Sequence, residues 1–462
     1  MTRRDAGPLA CCASPSRTMT VFLAVLAACS AGPPSAAAGG DRPGASRLLL
    51  STEGCGRATG YAEANKIVTA NGKTHVAWLD SSSAGFRVRI RTLAHETGRW
   101  SPVYTIGEAY DNHGGPAVAI DSRGFLHVAY YPHHHPMRYR RSRRPHDASE
   151  WTEVERFGTR CTYPTLVVGP DDSLYLTCRE STGKQWVANL YVRKPAGAWR
   201  RVGSVLRSRF TGYAHFQEAL AWGPGHKTLH LSCRIYEGPN GRCQTVGYLR
   251  SRDFGRSWRR ADGQAVTLPA TAETVDVIHR LGEAASVAGG QSVRCGAVAI
   301  SAWGVPHILY STADAAGGDL LLAWPGADGR WRRRSIGEQL AGALGGWLAK
   351  MPGGLSFDAE GRLWAVATMC RPGPDRKGGL WGHPTNEVAW LRLGEGGKMT
   401  GAALLTVPDA ARARWLPNVE RPTGFNRVER PGILYTDGPR GGKNTERLAN
   451  TVYWVRPSQA GG

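Results

Sequence analysis

Two histidines, His113 and His133, stand twenty residues apart, one before and one after an alternating apolar segment. A tyrosine and an arginine follow at Tyr163 and Arg179, sixteen residues apart, and then Tyr213, His215 and Arg234. Six of the fourteen His lie between residues 113 and 146, which an even spread would not give. Imidazole exchanges a proton near neutral pH, so it suits a general base or acid. A guanidinium pairs with a carboxylate through a planar fork of donors. A phenol can hand a proton to a leaving oxygen. These are the parts of a β-elimination on a uronic acid. A cation neutralises the carboxylate so that the C5 proton becomes acidic, a base removes it, and an acid protonates the leaving oxygen. The catalytic candidates are therefore His113, His133, Tyr163 and Arg179, with Asn112, His134, His215 and Arg234 as substrate-binding candidates. His75 and His127 lie inside apolar strands and read as packed, structural residues. Hydrolysis of a glycoside by two flanking carboxylates is poorly served, because Glu63, Asp80, Asp111 and Glu218 are scattered.

The elements that must hold these residues are short strands. Seven segments repeat one pattern, and their second strands align: Thr74–Trp78, Leu126–Tyr130, Leu174–Cys178, Leu229–Cys233, Pro306–Tyr310, Leu363–Ala367 and Gly432–Thr436. Period-two alternation between turn residues is a strand signal. Trp100, Trp151, Trp199, Trp258 and Trp331 close several of the units. With 59 Gly and 28 Pro, the chain is rich in turn formers. Seven units of about 50 to 60 residues fit the period of a propeller. The expected fold is all-β: a seven-bladed β-propeller of four-stranded antiparallel blades, with six or eight blades left open. Arg47–Leu50 is the expected outer strand of the last blade, covering a sheet edge. In a propeller the start of each first strand and the end of each second strand share one face. His113, His133, Tyr163, Arg179, Tyr213, His215 and Arg234 then converge on one cleft.

The N-terminus reads as a targeting segment. Arg3 and Arg4 precede the apolar run Val21–Ala28, too short to span a bilayer as a helix. It ends Leu26-Ala27-Ala28-Cys29, a lipobox-like site that would lipidate Cys29; ordinary cleavage near Ala36-Ala37-Ala38 is the alternative. The expected organisation is a signal peptide over 1–29, a flexible tether over 30–52 and one propeller over 53–459. The product is exported, as an envelope lipoprotein or a secreted protein, and touches membrane only through a lipid anchor. A formal net charge of +21, from 58 Lys+Arg against 37 Asp+Glu, favours a polyanionic partner. Export and the lack of a basic helix argue against nucleic acid and leave an anionic polysaccharide. The run Arg138–Arg144 reads as a solvated face. Seven Cys follow residue 29, an odd number that fits no complete disulfide framework.

Two motifs carry a resemblance. Ser251-Arg-Asp253-Phe-Gly255-Arg-Ser-Trp258 is similar to the Asp-box turn of sialidase-like propellers, a structural device. The stretch His113-Gly-Gly-Pro-Ala-Val-Ala-Ile-Asp-Ser-Arg-Gly-Phe-Leu-His-Val-Ala-Tyr-Tyr-Pro-His133, with Pro136 and Arg138–Ser142 after it, resembles the BNR-4 repeat proteins. That group includes polysaccharide lyases of the ulvan-lyase type. The resemblance implies His133 as base, His113 and Arg179 as groups that bind or neutralise the carboxylate, and Tyr163 or Tyr213 as aids to proton transfer. It requires no catalytic cofactor. It also suggests a structural zinc, for which Cys233 and Cys243 with His215 or His230 are the candidates. A sialidase-like hydrolase and a non-catalytic glycan-binding propeller remain as alternatives. The first would need an arginine triad, and no Arg-Ile-Pro stands near the start of the repeats.

Overall fold

The computed structural model describes residues 47–238, 242–282, 291–314, 317–371, 386–409 and 411–457. Cys29, the signal segment and the first part of the tether lie outside the described residues, as does the side chain of Cys243. The regular structure described is antiparallel strand, apart from one short α-helix at Gly337–Ala343 and two single 3-10 turns at Pro224–His226 and Glu395–Gly397. Among the described residues no helix is long and apolar enough to cross a membrane.

Each aligned second strand falls on a strand of the structure, all but Gly432 lying within it. They are Lys73–Ser82, Leu126–Tyr130, Leu174–Glu180, Leu229–Glu237, Pro306–Asp314, Leu363–Cys370 and Ile433–Gly438. Their residues are buried on both faces, which is why they are apolar through nearly their whole length. Two sheets hold four strands in chain order: Ser292–Ile300, Pro306–Asp314, Gly317–Pro325 and Trp331–Ser335; then Leu348–Phe357, Leu363–Cys370, Asn386–Leu393 and Met399–Leu404. The other three sheets are larger. The eight-stranded one is continuous because Glu155–Val168 pairs at one end with His135–Arg144 and at the other with Leu174–Glu180. Arg47–Gly54 pairs with the C-terminal strand Asn450–Val455, matching the expected place of Arg47–Leu50.

Turns carry the fold's side-chain logic. In the Ser251–Trp258 motif, Ser257 N–H and Oγ–H donate to the Asp253 carboxylate at 2.9 and 2.6 Å. Gly255 N–H donates to Ser251 Oγ at 2.8 Å, and Trp258 Nε1–H donates to Gly255 O at 3.1 Å. Trp258 is fully buried in the neighbouring core. His127 and His75 are packed, as their setting implies: His127 Nδ1 lies 2.7 Å from Tyr139 Oη and His75 Nδ1 lies 2.8 Å from Thr92 Oγ1.

The innermost strands share one irregularity that matters for function. Register breaks interrupt them between Thr162 and Thr165, Cys295 and Val298, Pro352 and Gly354, and Trp415 and Asn418. A bulge of this kind bends a strand and re-aims a side chain. Within or beside these breaks the backbone turns left-handed at Tyr163 (φ 60°), Leu416 (φ 50°) and Gly354 (φ 115°). Tyr163 and Leu416 are non-glycine residues held in a conformation that packing must enforce.

Candidate functional site

The bulges open onto a cavity of about 330 Å³. His113, His133, Tyr163, Arg179, Tyr213 and His215 all line it, so six of the residues singled out by type and spacing come together. Arg57, Tyr61, Gln217 and Arg294 complete its polar wall, with Met351, Pro352 and Leu416 on the apolar side.

Asp111 organises the histidines. Its Oδ1 accepts from the His113 backbone N–H at 2.8 Å and from the His113 ring Nδ1 at 2.9 Å. Its Oδ2 accepts from His133 Nδ1 at 2.6 Å. The two rings stack with centroids 3.8 Å apart. Burial opposes ionisation of Asp111, but the hydrogen bonds from His113 and His133 outweigh it and hold the carboxyl below its usual range. An ionised Asp111 accepts only, so both Nδ1 atoms carry their protons. The basic nitrogen left on each ring is Nε2.

The two Nε2 atoms differ. On His113 it meets the Arg57 guanidinium. Burial, with Arg57 beside it, lowers the His113 pKa to about 3 despite the Asp111 bond. His113 is thus neutral near pH 7, and its one N–H is already given to Asp111. The cation beside His113 is Arg57. Among the described residues His133 makes no such contact: it lines the cavity with Nδ1 held by Asp111.

Arg179 is fully buried beneath three aromatic rings, 4.7 Å from the Tyr163 centroid, 4.8 Å from Trp186 and 5.4 Å from Tyr213. Its Nη2 donates to His134 Nε2 at 3.4 Å, while Nε and Nη1 have no hydrogen-bond partner among the described residues. A buried guanidinium with donors unspent is an anion site in waiting. Arg294 Nε stands in the same condition. Tyr163 packs on Tyr61 at 4.9 Å and on His215 at 4.4 Å. Burial pushes its phenol up to about 12, against the pull of Arg179, so the hydroxyl keeps its proton. Tyr213 stands at the mouth, 47% exposed. Burial and the neighbouring Arg179, Arg234 and Arg294 drive the His215 pKa far down, leaving a neutral ring.

The remaining candidates sit behind this wall. His134 bonds Ser181 Oγ through Nδ1 at 2.8 Å, which fixes it against Arg179. Burial first and Arg179 second lower its pKa to about 4. Asn112 is buried and holds the 443–444 segment, donating to Asn444 O from its backbone and to Lys443 O from its amide. Arg234 is buried, bonded to Gln244 Oε1 at 2.8 Å. Asn112, His134 and Arg234 therefore shape the cavity without lining it.

Of the donors suggested for zinc, the side chain of Cys243 lies outside the described residues. Cys233 is packed in an apolar cluster with Phe216, Leu231 and Ile235, and burial pushes its thiol far up. His230 bonds Tyr248 Oη at 2.6 Å, and His215 faces the cavity. The six described cysteines are all buried. Among the described residues, the one group of three metal-capable side chains within reach of each other is Asp111, His113 and His133. Asp111 bonds both imidazoles there, and the third neighbour is the Arg57 cation, which disfavours a metal ion.

The residues that sequence reasoning missed are Arg57 and Tyr61, which come from the segment between the first strand and the repeats, where no periodic pattern marks them. Asp111 stands in view two residues before His113, yet such an Asp equally reads as a turn former.

An all-β repeat fold with this cavity agrees with the comparisons. The chain belongs to the BNR_4 family, described as a BNR repeat-containing family member, whose model matches residues 73–339. Among curated proteins it is similar to Ulvan Lyase-PL25 of Pseudoalteromonas sp. (strain PLSV), 23% identical over 283 residues, 52% of this chain and 56% of that protein. An ulvan lyase of Alteromonas sp. (strain LOR) is 23% identical over 245 residues, 45% of this chain and 50% of the relative. The chain thus spans about half the length of the curated relatives it matches. Among solved structures, a PL25 ulvan lyase bound to -[GlcA(1-4)Rha3S]- superposes with a TM-score of 0.62 at 15% identity, covering 88% of this chain and 97% of that one. The polysaccharide lyase Uly1 gives 0.58 at 14% identity, covering 90% and 99%. These likenesses establish a propeller-like fold.

Proposed function

We propose that this protein is an exported polysaccharide lyase that cuts a uronate-containing anionic glycan by β-elimination. The observation that carries the reading is the pairing, in one cavity, of an Asp111-oriented His133 with a buried Arg179 whose donors are unspent. The uronate carboxylate binds Arg179, helped by Arg294. His133 Nε2 takes the C5 proton, and the C5–H electron pair forms the C4–C5 double bond as the C4–O bond breaks. The leaving oxygen takes a proton from the Tyr163 hydroxyl, or from Tyr213 at the mouth. Asp111 holds the ring of His133 in the tautomer that exposes Nε2 and stabilises the imidazolium formed. His113 and Arg57 stack and brace that pair. In the full reading, the strands group into seven four-stranded blades, the last made of Ala413–Val419, Ile433–Gly438, Asn450–Val455 and Arg47–Gly54. A signal segment before the tether carries the protein out of the cytoplasm.

The relatives named as ulvan lyases and the positive charge of the chain support a sulfated or uronate-rich substrate. The test is incubation with ulvan and other uronate glycans while following ultraviolet absorbance of the unsaturated uronate. The expected result is a rise with the native chain and none with His133→Ala. Reducing ends released without absorbance would replace elimination by hydrolysis.

A further inference from the structure

A second groove lies at the opposite ends of the strands, among the turns that join first to second strands. It encloses about 740 Å³ between the sheet beginning at Ser292 and the sheet beginning at Leu348. That volume falls within the range of small-ligand sites. Its wall is aromatic: Trp303, Trp324, His307 and Phe357, with Arg392 beside them.

Trp303 is the anomaly. It occupies the turn Ser301-Ala302-Trp303-Gly304 and is 91% exposed. Two other units build the same turn as Asp121-Ser122-Arg123-Gly124 and Asp358-Ala359-Glu360-Gly361, with a charged residue at the matching position. The turn geometry therefore asks nothing apolar of that position. A bare indole in water gains nothing for the fold, and its flat face beside an aromatic groove suits the C–H face of a sugar ring. The groove's lining holds Arg362 and Arg392 with one acidic residue, Glu395, and Arg362 is paired with Asp358 and Glu360. Strand Trp331–Ser335 adds the exposed Arg334, which has no carboxylate partner among the described residues, while its neighbour Arg333 turns to His279 of another sheet. The side chain of Arg334 packs against Gly396 and Gly397, at the groove's edge.

We infer that this groove is a second, non-catalytic binding site for a pyranose segment of an anionic polysaccharide, with Trp303 as stacking platform and Arg334 and Arg392 as partners for carboxylate or sulfate. The inference rests on the proposed glycan specificity. A polymer long enough to reach both ends of the strands would be held here while the cavity cuts.

The experiment uses the mature chain with His133→Ala, so that the polymer stays intact. Migration in native gels cast with ulvan measures affinity, with dextran as the neutral control. Adding Trp303→Ala is expected to weaken retention by ulvan about tenfold, and Trp303→Phe to restore most of it; Arg334→Ala should act in the same direction. In the His133-competent chain, Trp303→Ala should leave turnover of short oligosaccharides unchanged. Equal retention with and without Trp303 overturns the inference, as does retention equal on dextran. Loss of self-association with unchanged ulvan affinity also overturns it, by assigning the groove to a second copy. Absence of elimination by the native chain, with Trp303-dependent retention, would defeat the lyase reading alone and leave this site standing.

Discussion

At the scale of single residues, the site turns on one carboxylate shared by two imidazoles. Asp111 fixes the protons of His113 and His133 on Nδ1, and the surroundings then divide their roles: Arg57 keeps His113 neutral, while His133 retains a nitrogen for the substrate. Asp111→Asn keeps the volume but leaves one acceptor oxygen where two were, with an NH2 donor in place of the other, so one amide can no longer set the tautomer of both rings. Its kcat should fall about 10²- to 10⁴-fold, the usual worth of a positioned acid–base group, with KM nearly constant. Steady-state kinetics on a uronate glycan would show it, and a change confined to KM would move Asp111 from catalysis to binding. Tyr163→Phe makes a parallel test. With its phenol pushed to about 12, Tyr163 keeps the proton that the proposed mechanism asks it to give, so on that reading the variant should lose kcat while still binding polymer. Much of this was readable beforehand. His113 and His133 flank one hairpin, Tyr163 and Arg179 flank the next, and strand periodicity carries each pair to one face. Arg57 and Tyr61 were not readable, because an irregular segment brings them in and long-range packing alone places them.

At the scale of elements, the second strands were legible because both faces are buried and the chain is correspondingly apolar. The bulges were not, because a one-residue break in register leaves no mark in the alternation around it. Yet the bulges deliver Tyr163, Pro352 and Leu416 to the cavity. Gly353 shows how tightly they are packed: a Cβ there would sit 2.4 Å from Pro417 Cγ and 2.9 Å from its carbonyl oxygen. Backbone cannot move aside cheaply, so Gly353→Ala should lower unfolding stability by about 1–3 kcal/mol, as overpacking does. Urea titration would measure it, and an unchanged midpoint would mean that these two bulged strands are looser than drawn. The Asp253 turn offers the contrasting case. Asp253→Ala removes two bonds to Ser257 at the surface, so it should cost about 1 kcal/mol of stability and leave turnover untouched.

At the scale of the whole chain, the net charge of +21 hides an interior that is also charged. Glu63, Lys66, Glu218, Arg179 and Arg421 are all fully buried. Both oxygens of Glu218 lack hydrogen-bond partners among the described residues. Burial, reinforced by Glu63 and only partly offset by Arg179, raises its pKa from 4.5 to about 8. The sign follows directly. The folded chain binds a proton on Glu218 that the unfolded chain releases above pH 4.5, so folding takes up a proton between 4.5 and about 8. Stability from this group is complete below 4.5 and is lost progressively as pH rises through 8. Glu218→Gln carries no titrating proton and escapes that loss. The Tm of the variant relative to the native chain should therefore rise from pH 5 to pH 8.5 and level off above. Calorimetry at a series of pH values tests this, and a constant difference would mean that Glu218 keeps the same charge throughout. A neutral Glu218 also bears on the cavity: with its charge suppressed, it does not compete as a carboxylate for the neighbouring Arg179.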